Sequence, residues 1–187
     1  EIHKFESQYL DNLVAALGRA KAPFGTYAVL GNHDFWSGPE VTQRICHDFE
    51  TRARIPVLRN QNIALKRGGE AIQLLGIDDY WHTWDLNKAL REVPSKSLKI
   101  LLSHNPDINR HLMPAHRIDL VLSGHTHGGQ ITFPVLGAPF ATHMNKRYLK
   151  GLVRDGDRQT YITRGVGHLV VPIRFNCPPE VTLITLV

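Results

Sequence analysis

Three aliphatic runs in this chain stop in the same way. "TYAVL" (26–30) leads into Gly31-Asn32-His33-Asp34, "LKILL" (98–102) into Ser103-His104-Asn105, and "IDLVL" (118–122) into Ser123-Gly124-His125-Thr126-His127. Short continuous aliphatic runs bounded by turn residues read as buried strands, the kind that parallel sheets produce. In an open α/β sheet, polar groups just past the carboxyl ends of neighbouring strands face one crevice. The layout therefore predicts an α/β fold whose three polar clusters gather at one sheet edge.

The intervening segments suit that fold. Phe5, Tyr9, Leu10, Leu13, Val14 and Leu17 fall on one face of an N-terminal helix. Residues 39–53 read as a second amphipathic helix with Pro39 in its first turn. Residues 83–93 and 106–116 read as two more, the former capped by Thr83 or Asp85. "IPVLR", "NIALKR" and "AIQLLGI" (71–77) are short strands between Asn and Gly turns. After residue 124 the pattern becomes mainly β. "GQITFP", "RYLKGLVRD", "RQTYITRG" and "EVTLITLV" read as strands, with a tight hairpin at 154–159. With no internal repeat or low-complexity linker, residues 1–187 read as a single domain.

The polar clusters suggest metal chemistry. Side chains two residues apart on extended backbone point the same way, so His125 and His127 would serve two nearby metals or chelate one. His104 adds an imidazole and Asn32 a carboxamide oxygen. Such N and O donors suit Mn, Fe, Ni or Zn better than Ca or Mg. Gly31, Gly124, Gly128 and Gly129 would let the backbone turn tightly and a phosphate approach. Each cluster alone has a plainer reading: "GNHD" as a turn, His104 as a hydrogen-bonded structural histidine, "GHTHGG" as a surface turn. The same order after three similar strands favours the metal site.

Composition narrows the partners. A net charge of +5 favours anionic ones, but the Lys and Arg residues are scattered rather than blocked. Nucleic-acid binding is therefore not expected, and phosphate-bearing substrates or an acidic membrane surface fit better. No apolar run reaches the ~20 residues of a membrane span, and no signal-peptide pattern opens the sequence. Cys46 and Cys177 form neither a C-x-x-C pair nor a disulfide framework.

"GNHD", a later strand-terminal His and "GHTHGGQ" resemble the last three motifs of the calcineurin-like metallophosphoesterases. The tail "YITRGVGHLVVPIRFNCPPEVTLITL" is similar to a bacterial branch associated with the membrane or cell envelope. The resemblance implies a sandwich of two β-sheets flanked by helices. It also implies two divalent transition-metal ions (Mn, Fe, Zn or Ni) and in-line attack on phosphorus by a metal-bridging hydroxide. Asn32, His104 and His125 would bind one metal and His127 the other. His33 would stabilise the phosphoryl oxygens or protonate the leaving group, with Asp34 orienting its imidazole. The expected substrate is a phosphorylated small molecule or a lipid-linked one, in the bacterial cytoplasm or envelope with peripheral membrane contact.

The family pattern opens with D-x-H and G-D-x-x-(D/N), and Glu1–Leu30 contains neither. The fold is accordingly expected to be N-terminally incomplete, with fewer than two metals in this chain. A second reading is then a catalytically incompetent domain that binds an anion or a protein partner. Asp78 and Asp79 are candidates for the missing carboxylate, though Asp at a loop entry is usually a cap or turn former. Gly128, Gln130, Arg164 and His168 are candidate substrate-binding residues; Arg164 and His168 also read as a plain turn. Trp81 and Trp84 would line a substrate wall or pack on the following helix. Residues 139–148 would rest on an anionic membrane or form an ordinary loop.

Overall fold

The computed structural model describes residues 7–139, 141 and 146–186. Half of the loop suggested for membrane contact therefore lies outside the described residues, as do Phe5 and Val187. The chain divides into two compact units, Glu1–Leu98 and Lys99–Val187.

In the first unit, α1 (Ser7–Leu17) buries Leu10 and Val14 while Tyr9, Leu13 and Leu17 stay exposed. The apolar face read from the sequence is thus only partly covered. α2 (His33–Trp36) is a single turn, and α3 (Pro39–Asp48) follows with Pro39 at its start. A π-helical turn (Phe49–Ala53) continues α3 and closes on Arg54 in the left-handed conformation. Leu10, Val14, Leu30, Ile45, Phe49, Ala53, Ile55 and Val57 form this unit's core. Arg52 fastens α1 to the π turn through Asp11 (2.6 Å) and Asp48 (3.1 Å).

β1 (Gln61–Arg67) and β2 (Glu70–Gly76) make an antiparallel hairpin, with Arg67 opposite Glu70 across Gly68 and Gly69. "TYAVL" and "IPVLR" do not form strands. Among the described residues their backbones pair only through an isolated parallel bridge between Ala28 and Val57. The expected helix over 83–93 shrinks to α4 (Leu86–Ala89), whose N-cap Asp85 accepts the Lys88 N–H at 2.8 Å.

The second unit carries the sheet that positions the site. β3 (Leu98–Leu102) and β4 (Leu120–Ser123) run parallel, with Leu101 opposite Val121. β6 (Arg158–Ile162) lies parallel on the other side of β4, and β5 (Gly151–Asp155) pairs antiparallel with β6. Asp155 faces Arg158, so the expected hairpin forms, with Gly156 at φ 59° in its turn. The predicted helix over 106–116 is instead two 3₁₀ turns, Pro106–His111 and Pro114–His116. The Asn105 side chain caps the first by accepting the Asp107 N–H at 2.9 Å. Residues 131–133 make only isolated bridges, and no strand forms among the described residues of "EVTLITLV". In that segment Val181 and Leu183 are about nine-tenths exposed, at 89% and 94%.

Candidate metal centre

The side-by-side parallel pairing of β3 and β4 brings two of the three clusters together. Pairing extends past the strand ends, where the Gly124 N–H donates to the His104 carbonyl at 3.0 Å. His104 therefore lies level with Gly124, and His125 follows one residue further along the neighbouring strand. Their rings meet edge-on with centroids 5.0 Å apart, and His125 Nδ1 lies 3.2 Å from His104 Nε2. Ser103 and Asn105 beside them are fully buried, and the Ser103 hydroxyl donates to the Asn105 carbonyl at 3.0 Å. That short local bond holds the backbone on either side of His104.

Two nitrogens 3.2 Å apart can both sit about 2.1 Å from one ion with an angle of roughly 100° between them. That separation, and the imidazole chemistry, fit two donors to one divalent transition ion. Among the described residues, no three His, Cys, Asp or Glu side chains come together closely enough to hold a metal. Among the described residues the pair thus stands without a third side chain of those types close enough to share an ion.

His127 has different surroundings. The expectation that His125 and His127 align on extended backbone does not hold. His125 (φ 65°), His127 (φ 51°), Gly128 (φ 61°), Gly129 (φ 83°) and Gln130 (φ 54°) lie in a tight turn dominated by left-handed backbone. Burial lowers the His127 pKa most, and Arg174 and His168 lower it further, against a bond to the Gly167 backbone that raises it. The neutral imidazole, the ligating form, is favoured.

The glycines of this turn serve packing. A Cβ on Gly128 would lie 2.5 Å from Arg164 Cγ and 2.7 Å from Cys177 Sγ. On Gly129 it would lie 2.3 Å from Ala138 Cβ. Gln130 closes the turn onto a distant segment. Its Nε2 donates to the carbonyls of Leu169 (2.9 Å) and Val171 (3.0 Å), and its Oε1 accepts the Leu169 N–H at 2.5 Å.

Arg164 and Glu180 form an ion pair, Nε to Oε2 at 2.5 Å. Thr182 and Tyr161 also donate to Glu180, and with Arg164 these bonds pull its carboxyl down to about 2. Arg164 is thus neither a free cation nor simply a turn residue. His168 is exposed.

Arg174 was not legible as a site residue. Its guanidinium donates to the carbonyls of His127 (3.2 Å), Arg164 (2.8 Å), Gly165 (3.2 Å), Gly167 (2.5 Å) and Cys177 (3.3 Å). One side chain thereby ties the His127 turn to the 164–177 segment. The only sequence signal was a lone cation inside the apolar run "LVVPIRF".

The third cluster belongs to the first unit. Asn32 is 2% exposed, and His33 is exposed with its ring 3.8 Å from that of Trp36. Asp34 Oδ2 accepts the Gly31 N–H at 2.8 Å, a bond that closes the turn carrying His33. Burial raises the Asp34 carboxyl pKa.

Asp78 is held elsewhere. Arg59 binds it with both Nε (2.9 Å) and a terminal nitrogen (2.8 Å), and the Thr83 hydroxyl donates at 2.9 Å. Asp79 is fully buried, and its Oδ1 accepts the Trp81 N–H at 3.0 Å. No donor among the described residues reaches Asp79 Oδ2. Trp84 stacks near Tyr80, centroids 6.3 Å apart, and Trp81 is exposed.

Comparison with known proteins agrees with the motifs. The calcineurin-like phosphoesterase family model matches residues 3–129. The chain is 40% identical to phosphodiesterase YaeI of Escherichia coli K12 over 162 residues, covering 87% of this chain and 58% of that protein. It is 36% identical to an uncharacterized metallophosphoesterase of Helicobacter pylori J99 over 177 residues, covering 91% of this chain and 45% of that one. It is 32% identical to the uncharacterized metallophosphoesterase YkuE of Bacillus subtilis 168 over 183 residues, covering 96% and 62%. The chain belongs to the calcineurin-like phosphoesterase family and has its α/β fold. It spans between 45% and 62% of the length of these curated relatives.

Proposed function

We propose that this chain is a metal-dependent phosphoester hydrolase, residues 1–187 forming part of a single metallophosphoesterase domain. The observation that carries the reading is the His104–His125 pair, 3.2 Å apart at the ends of two neighbouring parallel strands. In this reading Asn32, His104 and His125 hold one divalent ion (Mn, Fe, Zn or Ni) and His127 belongs to a second. Metal bound there supplies Lewis-acid polarisation of the phosphoryl group and neutralises its charge. His33, exposed at the start of α2, donates a proton to the leaving oxygen. The bond from Asp34 to the Gly31 amide steadies the turn that presents His33. Arg174 holds the backbone carbonyl of His127 and so steadies the turn that carries its ring. The substrate is a phosphorylated small molecule or a lipid-linked phosphoester, met in the bacterial cytoplasm or at the envelope with peripheral membrane contact.

A second reading, anion binding without turnover, draws support from the lack of a carboxylate beside the pair among the described residues. Neutral donors alone compensate poorly for the desolvation of a divalent ion. Hydrolysis of bis(p-nitrophenyl) phosphate with added manganese separates the two. Turnover that falls by about a hundredfold or more in His125→Ala is expected. Phosphate binding without any turnover would leave the second reading.

A further inference from the structure

A cavity of about 370 Å³ opens beside His127, lined also by Thr126, Gly129, Gln130, Ile131 and residues 169–171. Its size falls within the range of small-molecule pockets. Its polar side chains are already committed to the chain's own backbone. The Thr126 hydroxyl donates to the Leu149 carbonyl at 2.7 Å and accepts the Gly128 N–H at 3.1 Å. Both ends of the Gln130 amide bind residues 169–171, and His127 bonds the Gly167 backbone. What remains to meet an occupant is Ile131, Leu169, Val170 and Val171.

Val170 is the informative wall residue. It is 66% exposed and sits at φ 59°, a conformation that β-branched residues rarely adopt. Its exposed side chain widens the apolar wall that the cavity presents beside His127. A sugar or base would lose its hydrogen bonds to water here and find few in return, whereas an alkyl chain loses none.

Resting on the phosphoesterase reading, we propose that this cavity receives the alkyl substituent of the phosphoester substrate, with the phosphoryl group on the His127 side. Gln130 is the positioning residue that holds the 169–171 wall in place.

The test uses the full chain with p-nitrophenyl methyl phosphate and p-nitrophenyl hexyl phosphate, which share a leaving group and are studied below any micelle-forming concentration. Each methylene contributes up to about a fourfold gain when fully buried; at half that gain, five added methylenes give about thirtyfold in kcat/KM. Val170→Asp is expected to bring the hexyl-to-methyl ratio close to one. Val170→Gly, which also relaxes the backbone, should lower it in a chain whose thermal unfolding is unimpaired. Val135→Ser, at a fully exposed site away from the cavity lining, should leave it unchanged.

Calorimetry with hexyl phosphate and methyl phosphate reads the cavity without turnover and should show at least tenfold tighter binding of the former. If neither ester is hydrolysed but that preference stands, the phosphoesterase reading fails and the apolar pocket survives. Equal rates and equal binding for the two chain lengths would overturn the pocket. So would a preference that Val170→Asp leaves intact, which would point to some other surface.

Discussion

His104 and His125 meet because each is the second residue past the end of its strand, and the parallel pairing sets the two strand ends only one residue out of step. This much of the site was legible, since strand-terminal placement is a property of sequence order. The partners of the other residues were not. Nothing local to "DDYWH" says that Arg59, 19 residues away, takes Asp78, or that Asp79 is left with a buried oxygen no described donor reaches. Burial raises the Asp79 carboxyl above its ordinary 3.8, against lowering by backbone N–H groups and His82. The folded chain then holds that proton more tightly than the unfolded chain, so Asp79 costs stability as pH rises through the folded value. Asp79→Asn should therefore stabilise the protein at pH 7 by about 1 kcal/mol, with the gain shrinking toward pH 4. Urea denaturation at both pH values measures it. A gain that is the same at both, or a loss at pH 7, would show that the carboxylate has a partner this account lacks.

Elements were read best where periodicity and local chemistry agreed. α3 has both an apolar stripe and Pro39 at its start, and the β5–β6 turn has Gly156 where a positive φ is required. Elements were misread where an apolar run lacked a partner strand to pair with. "TYAVL", "IPVLR" and "EVTLITLV" have strand-like composition, but a strand exists only through long-range hydrogen bonds, which composition does not specify. The helices at 83–93 and 106–116 were overextended for another reason. Asp85, one of the two expected caps, and Asn105, which was not expected as one, both cap their first turns, yet the turns stop after α4 and the short 3₁₀ segments. In the His127–Gly129 turn, expected to let a phosphate approach, the glycines also have side chains packed closely against them. Gly128→Ala is expected to destabilise the chain by about 1–3 kcal/mol, from positive φ and from contact with Cys177 and Arg164. Thermal and urea unfolding check this. A variant as stable as the parent would mean the turn can relax without cost.

At the level of the whole molecule, the fold class and family were legible from three short motifs, two of which follow neighbouring parallel strands where an α/β sheet presents ligands. Sequence order did not reveal the device that holds the second unit's site segments together, namely Arg174 and Gln130 tying 127–130 to 164–177. Those bonds join residues some 40 apart and leave no local pattern. In the reading proposed above, the chain binds a divalent transition metal through His104 and His125. Manganese or zinc titrated calorimetrically into the chelator-stripped full chain tests it directly, in parallel with the double variant His104→Ala/His125→Ala. Saturable binding of at least one ion per chain, lost in the double variant, is expected. Binding of equal strength and stoichiometry in the double variant, or none in the parent, would contradict it.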